Sequence, residues 1–424
     1  MDTIFALSSG RPPAAIAVVR ISGPEAGVAL DTLAGSRTPP REAKLRSLSN
    51  SSGELLDRAM VLWLPGPHSA TGEDTAELFL HGGAAVVKAV EAALGTIAGL
   101  RMAEPGEFTR RAFANGKIDL SEAEGLADLL EAETELQRRH AMAIAGGRLS
   151  RQFEKWREVV LGFSAEVESA LDFSDEEDVE GLPDAFSEGI EALSQEVAMW
   201  LDRPRAERLR DGYRVVLAGP PNVGKSTLFN ALIEIDAAIA TPIPGTTRDV
   251  LERPVAISGV PFVFVDTAGL RETGGDSIET IGIERARIEA ANADCVLWLG
   301  PEGEGPAGAW EIAAKADIGD ETTKTSPTHT VSAVSGLGMA ELRQSLVERA
   351  RQTMPKPGEL SLNERQRGFV TELRAALTEI DPGQDLLILG ENLRRARLAL
   401  DALIGRSSTE DMLDALFGRF CIGK

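Results

Sequence analysis

The stretch Gly219-Pro220-Pro221-Asn222-Val223-Gly224-Lys225-Ser226 fits the spacing G-x-x-x-x-G-K-S/T. It follows the apolar run "YRVVLAG" and precedes the helix-like "TLFNALI". That context makes the spacing a phosphate-binding loop. A strand enters, glycines let backbone N–H groups wrap the phosphates, and a helix leaves. Residues 213 to about 350 are thereby confined to alternating strands and helices around a mostly parallel sheet. Lys225 is expected to reach the β- and γ-phosphates and Ser226 to bind Mg²⁺. Asn222, Val223, Gly224 and Thr227 complete the nucleotide-contacting stretch.

Further motifs follow in the order of a GTPase. "PGTTRD" (244–249) offers Thr247 as a switch threonine for Mg²⁺. "DTAG" (266–269) follows the strand-like "VPFVFV". Asp266 would reach Mg²⁺ through water, Thr267 and Ala268 continue the turn, and the Gly269 N–H could bind γ-phosphate. Ser332 and Ala333, after "HTV", stand where a loop backs the guanine. GTPases read guanine with N-K-x-D, but here the chain has Ala314-Lys315-Ala316-Asp317. Asp317 can still accept from the guanine N1–H and N2–H groups, and the Lys315 stem can cover the base. Losing the Asn contacts costs on the order of 1 kcal/mol per hydrogen bond, so weaker nucleotide affinity with guanine preference kept is expected.

The hydrolytic group is less plain. Leu270 stands where Ras-like enzymes carry a water-orienting Gln. Asn222, with backbone carbonyls near Thr241, Ile243 and Thr246, could hold a monovalent cation in the place of an arginine finger. Glu279 in "GGDSIETIGIERA" could orient water, or could be an exposed Glu at a helix start.

At 424 residues the chain has room for two or three domains. Residues 1–117 mix short β-rich runs ("AAIAVVRIS", "RAMVLWLPG", "TAELFLHGG") with a helical stretch, as in an α+β domain. Residues 118–210 turn helical. Ser121 with Glu124 predicts a capping box, and Ala123, Leu126, Ala127 and Leu130 then recur at helical spacing. The acidic run "DFSDEEDVEG" reads as a loop between helices. The α/β texture occupies 211–354, and helices return over 355–424, so a domain inserted into a helical domain is expected.

Composition narrows the setting. Two cysteines, Cys295 and Cys421, cannot make a disulfide framework, and no apolar stretch reaches the roughly 18 residues of a membrane helix. A cytoplasmic protein is the expectation. The net charge of −22 argues against broad electrostatic binding to nucleic acid, although basic clusters occur at 41–46 and 138–151. With 5% aromatics a base-stacking platform is not expected. The closing "RFCIGK" admits a frayed end, a poor lipidation look-alike, or a thiol delivered to a site elsewhere.

The whole chain resembles the MnmE (TrmE) family of tRNA-modification GTPases. The residues are "VVRISG" (18–23), "TGEDTAEL" (71–78), "HGG" (81–83), "PGEFTRRAF" (105–113), "NGKIDLSEAE" (115–124) and "ALDFSDEED" (170–178). The nucleotide motifs, "DTAGLRET", "IGIERA" and "FCIGK" complete the resemblance. It implies an N-terminal α+β folate-binding domain, an all-helical domain and an inserted Ras-like P-loop G domain. It also implies a homodimer, K⁺-stimulated GTP hydrolysis and an FAD-dependent partner, MnmG (GidA). Together the two would add an aminomethyl-type group at C5 of wobble uridine in certain tRNAs. The one-carbon donor would be 5,10-methylene-tetrahydrofolate, with 5-formyl-tetrahydrofolate as its analogue.

By the same resemblance Arg20, Glu77, Lys117 and Lys424 contact the folate. Asn222, Thr241, Ile243 and Thr246 match the K⁺ ligands, and Ser226 and Thr247 the Mg²⁺ ligands. Glu279 matches the hydrolytic glutamate, and Arg248 helps order the switch. Cys421 would lie beside the folate, either assisting one-carbon transfer or only packing there. Physical sense agrees in part, since a carboxylate such as Glu77 can accept two adjacent N–H donors of a pterin. The competing expectations are a regulatory or RNA-assembly GTPase without one-carbon transfer, which would not need folate, and a scaffold with lost nucleotide control.

Overall fold

The computed structural model describes residues 2–172, 182–233, 252–266, 287–318, 324–407 and 409–424. Thr241, Ile243, Thr246, Thr247, Arg248, Thr267, Ala268, Gly269, Leu270 and Glu279 lie outside them, as does most of the acidic run. The chain forms two compact units. The first comprises Met1–Ala127, Ala145–Arg157 and Leu400–Lys424; the second comprises Asp128–Ile144 and Glu158–Ala399.

In the first unit, alternating apolar residues make one six-stranded sheet. Its strands are β1 (Thr3–Leu7), β2 (Ile16–Ser22), β3 (Lys44–Ser49), β4 (Leu55–Leu64), β5 (Thr75–His81) and β6 (Leu100–Met102). The order is β3-β4-β5-β2-β1-β6, antiparallel except for the parallel β1/β6 pair. Period-two alternation sends Ala17, Val19 and Ile21 of β2, with Ala76, Leu78 and Leu80 of β5, into one core. Leu30 and Leu33 of α1 (Ala26–Ala34) and Val87, Val90 and Leu94 of α2 (Ala84–Gly95) close it. The same alternation puts Arg20 and Glu77 on the opposite face. There Ile4, Ala6 and Ala103 form a small second core with Phe108 of α3 (Glu107–Ala114).

Helix α4 (Leu120–Glu131) corrects one expectation. The reciprocal cap is Asp119 with Glu122, not Ser121 with Glu124. The Glu122 N–H donates to Asp119 Oδ1 at 2.8 Å, and the Asp119 N–H donates to Glu122 Oε2 at 2.9 Å. The acceptor-x-x-Glu pattern occurs twice, two residues apart, and the chain enters the helix at the earlier one. Ser121 is buried and donates to the Leu403 carbonyl at 3.2 Å. Leu413, Leu416 and Phe417 of the last helix, Glu410–Phe417, and Phe420 beyond it pack on Leu120, Ala123 and Ala127.

The second unit holds the other sheet: β7 (Tyr213–Ala218), β8 (Glu252–Ile257), β9 (Val260–Asp266), β10 (Cys295–Trp298), β11 (Trp310–Ala313) and β12 (His329–Thr330). Its order is β12-β11-β10-β7-β9-β8, parallel except for the antiparallel edge strand β8. Leu228 and Leu232 of the helix Lys225–Ile233, and Leu342 and Leu346 of the helix Met339–Thr353, pack on Val215, Leu217, Phe262 and Phe264. Cys295 belongs to this core, where burial pushes its thiol up to about 12. Helix Asp184–Leu201 packs against Glu364–Thr378, whose start carries a capping box of Asn363 and Gln366. The long helices Arg148–Asp172 and Leu386–Leu403 bear out the helical periodicity of both flanks.

Candidate functional site

The nucleotide motifs converge because each lies at or just beyond the carboxyl end of a strand in the parallel part of the sheet. Gly219–Gly224 follows β7, Asp266 ends β9, Ala314–Asp317 follows β11, and Ser332 and Ala333 follow β12. That edge is where open α/β sheets bind ligands. The loop itself needs left-handed backbone. Asn222 has φ 62° and Gly224 φ 100°, so the chain folds tightly enough to aim its N–H groups inward.

Lys225 is buried, and its ammonium donates to the Gly219 and Pro220 carbonyls at 2.9 and 2.6 Å. Ser226 Oγ donates to Asp266 Oδ2 at 2.7 Å. A hydroxyl and a carboxylate in contact at a helix start are hard oxygen donors, the set that suits Mg²⁺. Lys315, at φ 60°, lays its stem toward Gly224 and donates from Nζ to the Asn222 carbonyl at 3.0 Å. Asp317 Oδ1 accepts from Ser332 Oγ at 2.6 Å, and that hydroxyl accepts from the Ser335 N–H at 3.1 Å.

Between these groups lies a cleft of about 250 Å³, with Lys315 and Asp317 on its wall and Thr227, Ala314 and Ala333 beside them. Sequence reasoning missed its apolar lips, Ile318 and Val334, which are 68% and 80% exposed. Two isolated aliphatics in loop sequence carry no signal of a base-binding face. The Ala314 methyl packs against the sheet core, so this position offers the cleft no side-chain polar group.

On the first unit, Arg20 and Glu77 are register partners on β2 and β5 and form an ion pair at 2.9 Å. Their side chains are 25% and 15% exposed, and the Arg20 guanidinium lies 5.8 Å from the Phe108 ring centre. Sequence reasoning also missed Arg111, one turn beyond Phe108 on α3. It donates to both Glu73 carboxylate oxygens at 3.2 and 3.3 Å, to Asp2 Oδ1 at 2.7 Å and to Glu107 Oε1 at 3.0 Å. Glu73 also accepts from Ser22 Oγ at 2.7 Å. Three quoted motifs, "VVRISG", "TGEDTAEL" and "PGEFTRRAF", are thus joined by hydrogen bonds through Ser22, Glu73, Arg111 and Glu107. Burial opposes the charge on Glu107, yet hydrogen bonds from Arg101, the Glu104 N–H and Arg111 hold its carboxyl below the ordinary range.

Lys117 is exposed, and its stem lies close over Gly72. The tail is docked rather than frayed. Ile422 bridges to Pro105, the Gly106 N–H donates to the Cys421 carbonyl at 3.5 Å, and Gly423 lies against the Leu7 carbonyl. Cys421 is exposed and Lys424 half-buried.

A phosphate loop, a serine–aspartate pair and a cleft on one sheet edge define a P-loop nucleotide-binding protein. The profile of the MnmE helical domain matches residues 120–421, and that of the GTP-binding protein TrmE N-terminus matches residues 3–117. The tRNA modification GTPase MnmE of Erythrobacter litoralis is 62% identical over the full length of both chains. That of Novosphingobium aromaticivorans is 60% identical, again covering both chains completely. The relative from Rhizorhabdus wittichii is 59% identical over all of this chain and 97% of its own. The chain belongs to the MnmE family of tRNA modification GTPases, and its activity is GTP hydrolysis. Among the described residues no helix is long and apolar enough to cross a membrane.

Proposed function

We propose that the chain is a K⁺-stimulated GTPase that works as a homodimer with an FAD-dependent MnmG partner. Together they use a folate one-carbon unit to build an aminomethyl or carboxymethylaminomethyl group on C5 of wobble uridine in certain tRNAs. The observation that carries the reading is the convergence of Lys225, the Ser226–Asp266 pair and the Asp317 cleft on one sheet edge.

Each residue then has a task. The loop N–H groups and Lys225 hold the phosphates, and their positive charge favours the developing negative charge. Ser226 and Thr247 would hold Mg²⁺, with Asp266 reaching it through water; bound Mg²⁺ neutralises phosphate charge. Asp317 reads the guanine N–H edge while Ser332 fixes its carboxylate. Asn222, Thr241, Ile243 and Thr246 are assigned to K⁺, Glu279 to orienting water and Arg248 to ordering the switch. The left-handed backbone at Asn222 suits an inward-facing ligand. Bound folate supplies the one-carbon unit. Arg20 and Glu77 present a guanidinium and a carboxylate together, a donor–acceptor pair that matches a pterin edge. Lys117 and Lys424 are assigned to its carboxylates, and Cys421 to its neighbourhood.

GTP turnover in K⁺ against Na⁺, with 5-formyl-tetrahydrofolate binding measured on the same full chain, tests the reading. K⁺ stimulation with folate binding is expected. K⁺ stimulation without folate binding would instead favour a regulatory GTPase, and equal turnover in both salts would remove the cation from the mechanism.

A further inference from the structure

In the second unit, β10 reaches its parallel neighbour β11 through Leu299–Ala309, and that connection contains no helix. Parallel neighbours are ordinarily joined by a helix that packs on the sheet and fixes both strand ends. Here polar ties take that place, and they meet at one ammonium. The Lys324 side chain is 4% exposed and ion-paired with Glu311 of β11. Its Nζ also donates to the Trp298 carbonyl at 2.6 Å, at the end of β10. The second carboxylate oxygen of Glu311 accepts from the Gly303 N–H at 3.1 Å, within the connection.

Neighbouring contacts bind the same pieces. Glu302 accepts from the Thr325 and Ser326 N–H groups at 2.6 and 2.9 Å, and those donors hold its carboxyl below the ordinary range. The Trp298 indole N–H donates to the Pro301 carbonyl at 2.8 Å. Its ring presses on Gly300 and Gly305, where any Cβ would collide. Thr328 exchanges two hydrogen bonds with Glu311, at 2.7 and 3.0 Å. Glu311 leads directly into Ile312, Ala313 and the base loop Ala314–Asp317.

We propose that Lys324 is a positioning residue for nucleotide recognition: through Glu311 and the Trp298 carbonyl it fixes β11 so that Lys315 and Asp317 present a preformed base cleft. A buried ammonium is tolerated only when its donors are taken up. One acceptor, Glu311, lies on β11, which leads into the cleft wall, and the other ends its neighbour β10. Without a helix's apolar face to share the task, the placement of the loop leans on these polar ties, which centre on Lys324 and Glu311. The inference rests on the reading of this cleft as the guanine site.

The test uses the full chain with Lys324→Met, Glu311→Gln and Asp317→Asn. For Lys324→Met, KM for GTP and Kd for GDP are expected to rise about tenfold with kcat within about twofold. The preference for GDP over IDP, which lacks the 2-amino group, should fall as the cleft loses its preformed shape. A lowered Tm with unchanged KM and unchanged GDP-to-IDP preference would make Lys324 a packing residue and overturn the proposal. Should Lys324→Met not fold, Glu311→Gln keeps the side-chain volume while removing the ion pair, and the same two outcomes decide. Asp317→Asn separates the premises. A swap to XDP preference upholds the cleft as the base site, so unchanged KM in the other variants then sinks Lys324 alone. Retained GDP preference in Asp317→Asn would overturn both.

Discussion

At position 314 a methyl stands where guanine-binding loops usually carry an amide; it lines the cleft and packs on the sheet core, but offers no hydrogen bond. Ala314→Asn is therefore expected to tighten GDP binding by about 1 kcal/mol, or roughly fivefold, in competition titrations. The reverse case is Arg111, whose guanidinium joins Glu73, Glu107 and Asp2 with its side chain 13% exposed. Arg111→Ala leaves the shielded Glu73 carboxylate without its cation, while Glu107 keeps Arg101. A loss of about 3 kcal/mol in urea unfolding of the first unit's strands is expected. These two residues differ in how far the sequence disclosed them. The phosphate loop was legible because its chemistry is local: strand, glycines, lysine and helix are consecutive. Arg20 and Glu77 are 57 positions apart, and only the β2/β5 register makes them a pair. Arg111 gave no signal at all, since an arginine on an exposed-looking helix becomes buried only through its acidic neighbours.

At the level of elements, period-two and helical spacing disclosed β2, β4, β5, β9 and the long helices, whereas the short strands β6, β11 and β12 carry too few residues to show a period. The shifted cap of α4 shows the limit of pattern reading, because both candidate caps satisfy the same spacing and only the burial of Ser121 separates them. The docked tail turns on backbone shape. Gly423 has φ +96°, and a Cβ there would collide with the Leu7 carbonyl; Gly106 has φ +68°, and a Cβ would meet the Phe417 carbonyl. Gly423→Ala should therefore release the tail, freeing the half-buried Lys424 and speeding proteolysis of the last residues. Unchanged proteolysis would show that the tail stays seated without the glycine. Cys421→Ser, by contrast, should leave docking intact, because the tail is held through the Cys421 carbonyl and not its sulfur.

At the level of the whole chain, the net charge of −22 coexists with buried basic groups whose partners are local, so the charge total says little about either site. One titration does reach the stability of the second unit. His140 is half-buried, with Nδ1 3.3 Å from the Glu359 carbonyl and Nε2 3.3 Å from Ser361 Oγ. Burial lowers its pKa below 6.5. The unfolded chain then binds the proton first, so stability is complete above pH 6.5 and falls as the pH drops toward the folded value. The slope cannot exceed about 1.4 kcal/mol per pH unit, and His140→Gln should flatten it in urea titrations between those limits. The first unit has a different dependence, one of timing. Its strand β1 and its helix α4 are made early, but the residues that cover them, Leu413 to Phe420 and Gly423, belong to the far end of the sequence. During synthesis the early segment must wait on the ribosome, with Leu120 and Ala123 bare, until residues 400–424 emerge and close it. A chain cut short in translation would therefore carry an unfinished first unit, a natural mark for quality-control proteases.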